Sequence, residues 1–323
     1  MKFDICFLTY MARSGSTLLA KELDHYRSTG VTIEDDIPDG ILKGEEVYIQ
    51  NSEELEIFID KICEGKKFRE WKISPEKLFA KLENNYRYPV RLDSLYRSIY
   101  DLYFSETNPE IILHKKGRYY LKVDSVKASF PGAKFIHIIR DPRALFNSQK
   151  NSKDSITGKP METSVVAFAL NYRNMSEIVR KQADNKSFKV VFYEDFIDKK
   201  EEIIVSILDF IQLSDRTKGT SGYFERIPEK QRYLHDNINY GVLSSRKTGW
   251  QEELSSLEIS ILETCLKREL KEYNYVRSNR QPRNFVQYFI KVKMVLLFFI
   301  KYLAAKYFPW IYYKLKKIRI QKN

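Results

Sequence analysis

Cysteine is scarce in this chain: three in 323 residues (Cys6, Cys63 and Cys265), far apart and with no CxxC pair. That count excludes a disulfide framework and a cysteine zinc site, so a reducing compartment, the cytoplasm, is expected. The four histidines are scattered without metal-ligand spacing, so no metal is expected either. No segment approaches the roughly 18 uncharged apolar residues of a membrane span. The opening MKFDICFLTYMARSG breaks its short apolar run at Asp4 and does not read as a signal peptide. Internal repeats and low-complexity tracts are missing as well. What remains is 43% hydrophobic and 30% charged residues, the balance of a folded globular chain. The length suits one large domain, or one domain with an extension.

Acidic residues are absent from 280 to 323, where eleven Lys and Arg accumulate and account for all but one unit of the net charge of +12. Residues 1–279 are therefore almost neutral, and no nucleic-acid partner is expected. The basic segment is also apolar, but its uncharged stretches MVLLFFI (294–300) and YFPWIYY (307–313) are too short to span a bilayer. Each lysine near a bilayer centre would cost roughly 2.5–3.5 kcal/mol. The expectation for 280–323 is a segment lying in the interface of an anionic membrane surface, its lysines reaching the headgroups. The competing reading is a helix packed on the domain or on a second subunit.

Five short β-branched or aromatic runs read as buried strands: FDICFLT (3–9), GVTI (30–33), YYLKV (119–123), FIHIIR (135–140) and FKVVFY (188–193). Helical patterns separate most of them. One opens with Asp141 as N-cap and Pro142 at its first position; another carries a Ser255–Glu258 capping box. This alternation predicts an α/β fold of three layers, α/β/α, around a mostly parallel central sheet. Residues 40–115, charged and Tyr-rich, read as a helical insertion beside the ligand crevice, on the acceptor side.

The loop ARSGST (12–17), between the first strand and a helix, has the form of an anion cradle. A nucleotide triphosphate loop, GxxxxGK[ST], would need a glycine where Tyr10 stands and a lysine where Ser16 stands; of that machinery only Thr17 survives. Backbone N–H groups around Gly15, the hydroxyls of Ser14, Ser16 and Thr17, and the Arg13 cation suit a terminal oxyanion that needs no metal. A tight turn capped by serine is the plainer alternative. Farther on, Arg140 ends a strand, and Ser148 follows Asp141 by seven residues, about 10 Å along one helix face. Together they could grip a phosphate at the strands' carboxyl ends; pairing of Arg140 with Asp141 is the alternative.

These residues resemble the sulfotransferase family that uses 3′-phosphoadenosine 5′-phosphosulfate. RSGSTLL is similar to its 5′-phosphosulfate loop in the Arg form of carbohydrate-type and bacterial members. FIHIIRDPRALFNSQ resembles its 3′-phosphate strand and helix, VVFYEDFIDKKEEIIVSILDFI its YED segment, and RKTGWQEELSSLEISILETC its closing segment. The resemblance implies a P-loop NTPase-like fold, a sulfotransferase domain over 1–279 and a C-terminal helical extension over 280–323. It implies that Arg13, Ser14, Gly15, Ser16 and Thr17 hold the sulfuryl group and 5′-phosphate. Arg140 and Ser148, with Arg246 and Lys247, would hold the 3′-phosphate, and Tyr193 would lie near the adenine.

For the base, Glu34 stands where carbohydrate-type relatives carry a Glu, while Lys122 and Asp124 resemble the Lys-x-His of cytosolic members with Asp replacing His. His137, mid-strand, reads as core. The implied acceptor is a hydroxyl, on a sugar of a glycolipid or polysaccharide, met from the cytoplasm at the inner face of a membrane. A phosphoryl-transferring P-loop enzyme, or a non-catalytic membrane-surface adaptor on the same fold, are the alternatives.

Overall fold

Strand β1 (Asp4–Tyr10) is buried from its second residue to its last, as an unbroken apolar run requires of a strand covered on both faces. The computed structural model describes residues 3–35, 48–154, 157–232 and 245–308. In it β1 is the middle of a five-stranded sheet with β2 (Thr29–Val31), β5 (Ile111–Lys115), β6 (Lys134–Ile139) and β7 (Phe188–Phe192). The order is β2–β5–β1–β6–β7 and every pairing is parallel. A two-residue pair, β3 (Tyr48–Ile49) with β4 (Val90–Arg91), is antiparallel and separate. From β1 the chain runs outward to β2, returns to fill β5, and then crosses to β6 on the other side of β1. That reversal puts a ligand crevice at the carboxyl end of β1.

The helices are α1 (Ser16–Asp24), α2 (Ser52–Cys63), α3 (Pro75–Asn85), α4 (Leu92–Tyr103), α5 (Val123–Ser129), α6 (Pro142–Lys150), α7 (Val165–Arg180), α8 (Tyr193–Asp198) and α9 (Lys200–Ile211). Short turns α10 (Tyr223–Arg226), α11 (Glu229–Arg232), α12 (Ser245–Thr248) and α13 (Trp250–Glu253) precede α14 (Ser256–Cys265), α15 (Lys267–Glu272) and α16 (Phe285–Tyr307). The described residues fall into two compact units. The first lies within Met1–Ile139 and Gln182–Val242 and holds the whole sheet; the second lies within Arg140–Lys181 and Leu243–Asn323.

Two strand expectations change. YYLKV is not a strand: Gly117–Lys122 is a 3-10 helix, and Val123 already starts α5. The strand between β2 and β1 is IILHK, inside the segment read as an insertion. That segment also carries α2, α3 and α4, and residues 40–47 lie outside the described residues. Both runs have the composition of a strand; pairing with β1 from Asp4↔Ile111 to Leu8↔Lys115 selects IILHK.

In the second unit Arg143 is fully buried. It makes two hydrogen bonds to Asp141 (3.0 and 2.7 Å) and one to Glu263 (2.6 Å), and it stacks over Trp250 at 4.1 Å. Asp141 also accepts from the Arg143 backbone N–H, the N-cap expected from sequence, so its carboxylate is engaged by Arg143. The capping box of α14 is formed as expected. Helix α16 packs on α7 and α14 through Phe298, its only buried residue. No helix among the described residues is long and apolar enough to cross a membrane. Arg143→Ala takes the guanidinium from two buried carboxylates, leaving Glu263 with the Ser278 and Asn279 N–H groups and Arg277 at 3.9 Å, and is expected to cost about 3–5 kcal/mol in urea unfolding; an unchanged midpoint would show that Arg143 does not hold this unit together.

Candidate functional site

The loop after β1 is built from strained backbone. Arg13 (φ 72°) and Gly15 (φ 94°) both lie in the left-handed region, which a residue with a side chain enters only at a cost. Such alternation turns successive N–H groups toward one concavity, an anion nest. Gly15 is the N-cap of α1, and no side chain caps the helix; its first turn holds no acidic residue. The serine-capped turn is therefore not what forms. The Ser14 hydroxyl is buried with no hydrogen-bond partner among the described residues, a group that an anion's oxygen would satisfy. Tyr193, first residue of α8 and buried, lays its ring on the loop: a Cβ on Gly15 would come within 2.4 Å of it. Arg13 is half-buried, and Ser16 and Thr17 are buried in the first turn.

Beside the loop stands a lysine that sequence reading missed. Lys115 ends β5, is 4% exposed, and donates to Thr17 Oγ1 at 3.0 Å. Its ammonium also pairs with Glu34 at 3.3 Å. Glu34, just past β2, accepts from Tyr10 Oη (2.6 Å) and Lys67 Nζ (2.7 Å). Burial works against ionisation of Glu34, but Lys115, Lys67 and Tyr10 outweigh it and hold the carboxyl well below the usual carboxylate range. Burial and the Glu34 charge push the Tyr10 phenol well up, so it stays a donor. Glu34 and Lys115 face a cavity whose other walls are Lys67 and Glu70 on the charged side and Ile33, Tyr223 and Ile227 on the apolar side. The signal for Lys115 was a β-branched run after an Asn-Pro turn, NPEIILHKK.

One residue along each strand end lies a second acid–base set. Asp35 pairs with Lys116 and accepts from His114 Nε2 at 2.6 Å, while His114 Nδ1 accepts from Tyr100 Oη. Burial opposes the Asp35 charge, but His114 and Lys116 bring its pKa down to about 2.

The remaining sequence candidates fall differently. Asp124 is exposed in the first turn of α5, on a helix rather than at a strand end, which removes the basis for matching it to a strand-end Lys-x-His. His137 is core: buried, 2.9 Å from Thr9 Oγ1, its pKa pushed down to about 3 by burial. The second unit, taken alone, carries Arg140, Ser148, Arg246 and Lys247. Arg140 is buried, its carbonyl accepting from Tyr172 Oη at 2.9 Å. Ser148 is half-buried on α6, and α12, which bears Arg246 and Lys247, packs on α6. The Arg246 side chain, and the extension from residue 309 onward, lie outside the described residues.

Comparison with known proteins follows the same lines. Residues 6–217 match the model of the sulfotransferase family. Curated relatives from Mycobacterium bovis and Mycobacterium tuberculosis, each an omega-hydroxy-beta-dihydromenaquinone-9 sulfotransferase Stf3, are 26% identical over 58% of this chain and 47% of theirs. The chain thus spans about half the length of the curated relatives it matches. The sulfotransferase domain of the Synechococcus PCC 7002 olefin synthase shares the fold, with a TM-score of 0.52 at 16% identity over 85% of this chain and 97% of that one.

Because the Asp35 pKa is lowered by folding, its contribution to stability is full above about pH 4 and is lost as pH falls toward 2. Asp35→Asn is expected to cost about 3 kcal/mol or more at pH 7. The gap to the unsubstituted protein should shrink as urea titrations are repeated at lower pH; a gap constant from pH 7 to 2 would rule this out.

Proposed function

The chain belongs to the sulfotransferase family, and from that membership we propose that it transfers a sulfuryl group from 3′-phosphoadenosine 5′-phosphosulfate to a hydroxyl. When bound, this donor supplies the sulfuryl group, its sulfur–oxygen bond to the 5′-phosphate breaking as the bond to the acceptor oxygen forms. The observation that carries the reading is the buried Lys115, joined at once to Thr17 of the anion loop and to Glu34.

Arg13 and the loop from Ser14 to Thr17 take the sulfuryl and 5′-phosphate oxygens. The orphaned Ser14 hydroxyl and the uncapped first turn of α1 support that fit. Lys115 and Arg13 place positive charge where negative charge develops on the leaving phosphate. Tyr193, against Gly15, serves the nucleotide side. Arg140 and Ser148, with Arg246 and Lys247, are assigned to the 3′-phosphate.

Glu34 is the base. In the free protein Lys115, together with Lys67 and Tyr10, keeps it ionised but weakly basic. An anion at Thr17 draws the ammonium toward itself, and the carboxylate regains affinity for a proton. Donor before acceptor is therefore the productive order. Glu34 takes the acceptor's proton, and Tyr10 and Lys67 hold its carboxylate in place.

A sugar hydroxyl of a glycolipid or polysaccharide is the first acceptor reading. The apolar wall of Ile33, Tyr223 and Ile227 beside Glu34, with the hydroxylated menaquinone in the relatives' names, favours a second: the terminal hydroxyl of an isoprenoid lipid. The three free cysteines support a cytoplasmic setting.

Calorimetry should detect adenosine 3′,5′-bisphosphate but not ATP; the converse would redirect the chain to phosphoryl transfer. Arg13→Ala is expected to keep the fold and lose about 100-fold or more in sulfation, and near-normal turnover would refute its role. Glu34→Gln should retain bisphosphate binding while kcat falls about 10²–10⁴-fold; unaltered kcat would exclude it as the base.

A further inference from the structure

Among the described residues, helix α16 is packed on one side only. Phe298 is buried there, Arg173 stacks over Phe298 at 4.8 Å and over Tyr302 at 5.1 Å, and Tyr302 Oη donates to Glu177 at 2.6 Å. At about 100° per residue, Phe285, Phe289, Val292, Leu296, Leu303 and Tyr307 all fall within about 60° of the direction opposite Phe298. All six are exposed, from 48% (Val292, Leu303) to 81% (Phe285). Their spacings of three, four and seven residues make one stripe about 33 Å long. Lys293 and Lys306, both exposed, flank it on opposite edges.

Charge decides what covers this stripe. From 280 to 323 the chain has eleven Lys and Arg and no Asp or Glu. Two copies paired along the stripe would set lysine against lysine with no acid on the segment to compensate. An anionic lipid surface offers negative headgroups to the lysines and hydrocarbon to the stripe, with Phe and Tyr rings suited to the boundary between them. Lysine stems can run along the apolar face and keep their ammonium groups at the headgroups.

We propose that α16 is an in-plane membrane helix, its Phe285–Tyr307 stripe entering the headgroup–acyl boundary of an anionic bilayer while Phe298 stays docked on α7 and α14. The sequence alone does not single out this face, because its lysines do not cluster on one side. Docking through Phe298 and Tyr302 does, by using up the opposite side. The inference stands apart from the sulfuryl-transfer reading and does not depend on it.

The test is co-sedimentation of the full chain with phosphatidylcholine vesicles, with and without phosphatidylglycerol. Binding is expected to phosphatidylglycerol vesicles, about tenfold or more weaker on phosphatidylcholine alone, and to decline with added salt. Phe289→Glu with Leu296→Glu should weaken it by about tenfold or more. Both side chains are exposed, so the urea midpoint should hold. Lys293→Glu with Lys306→Glu should weaken binding to phosphatidylglycerol vesicles alone. The proposal is overturned if the full chain ignores both vesicle types, or if the Phe289/Leu296 variant binds as well as the unsubstituted chain. It is also overturned if light scattering shows a dimer that this variant dissociates while vesicles stay unbound, since a second copy would then be the occupant.

Discussion

An ammonium withdrawn from water costs several kcal/mol unless negative or polar groups surround it. Lys115 meets that demand with the Thr17 hydroxyl and the Glu34 carboxylate. The three residues come from different places: the end of β5, the first turn of α1 and the chain just past β2. One buried charge therefore ties together the chain ends of β5 and β2 and the start of α1, and it joins the loop at Thr17 to Glu34, a carboxylate that lines the cavity. In the proposed mechanism the link between donor and base depends on it.

The same strand ends repeat the pattern one residue later. Successive side chains on extended backbone point to opposite sides, so Glu34 and Lys115 face the cavity while Asp35 and Lys116 turn into the protein. The inner set is completed by His114 and Tyr100, which leaves its buried charges hydrogen-bonded and rigid. The outer set keeps Glu34 partly exposed, with a side-chain accessibility of 32%, as its proposed role as base requires. One ladder thus supplies a buried, fixed pair and a neighbouring pair that borders the cavity.

Much of this was legible in the sequence where the signal is local. The apolar run of β1, the Asp141–Pro142 helix start and the Ser255–Glu258 capping box need only neighbours along the chain, and each forms as read. Glu34 was named through the family resemblance, and it stands three residues past the short buried strand β2. Lys115 was hidden because IILHK sits in a charged, Tyr-rich stretch dominated by helices, while YYLKV offers an equally strand-like pattern that folds as 3-10 turn and helix. Pairing with β1 separates the two, and pairing is not written in either segment. The tight turn at Arg13–Gly15 was legible by composition; the Tyr193 ring on Gly15 was not, since nearly 180 residues separate them.

The sharing of Lys115 between loop and base is tested most directly by following the Glu34 carboxyl resonance through a pH titration, assigned with Glu34→Gln, with and without adenosine 3′,5′-bisphosphate. The account predicts that the nucleotide raises the Glu34 pKa, and that the rise is much smaller in Lys115→Met, where no ammonium can be drawn away. No rise, or an equal rise in both proteins, would contradict it.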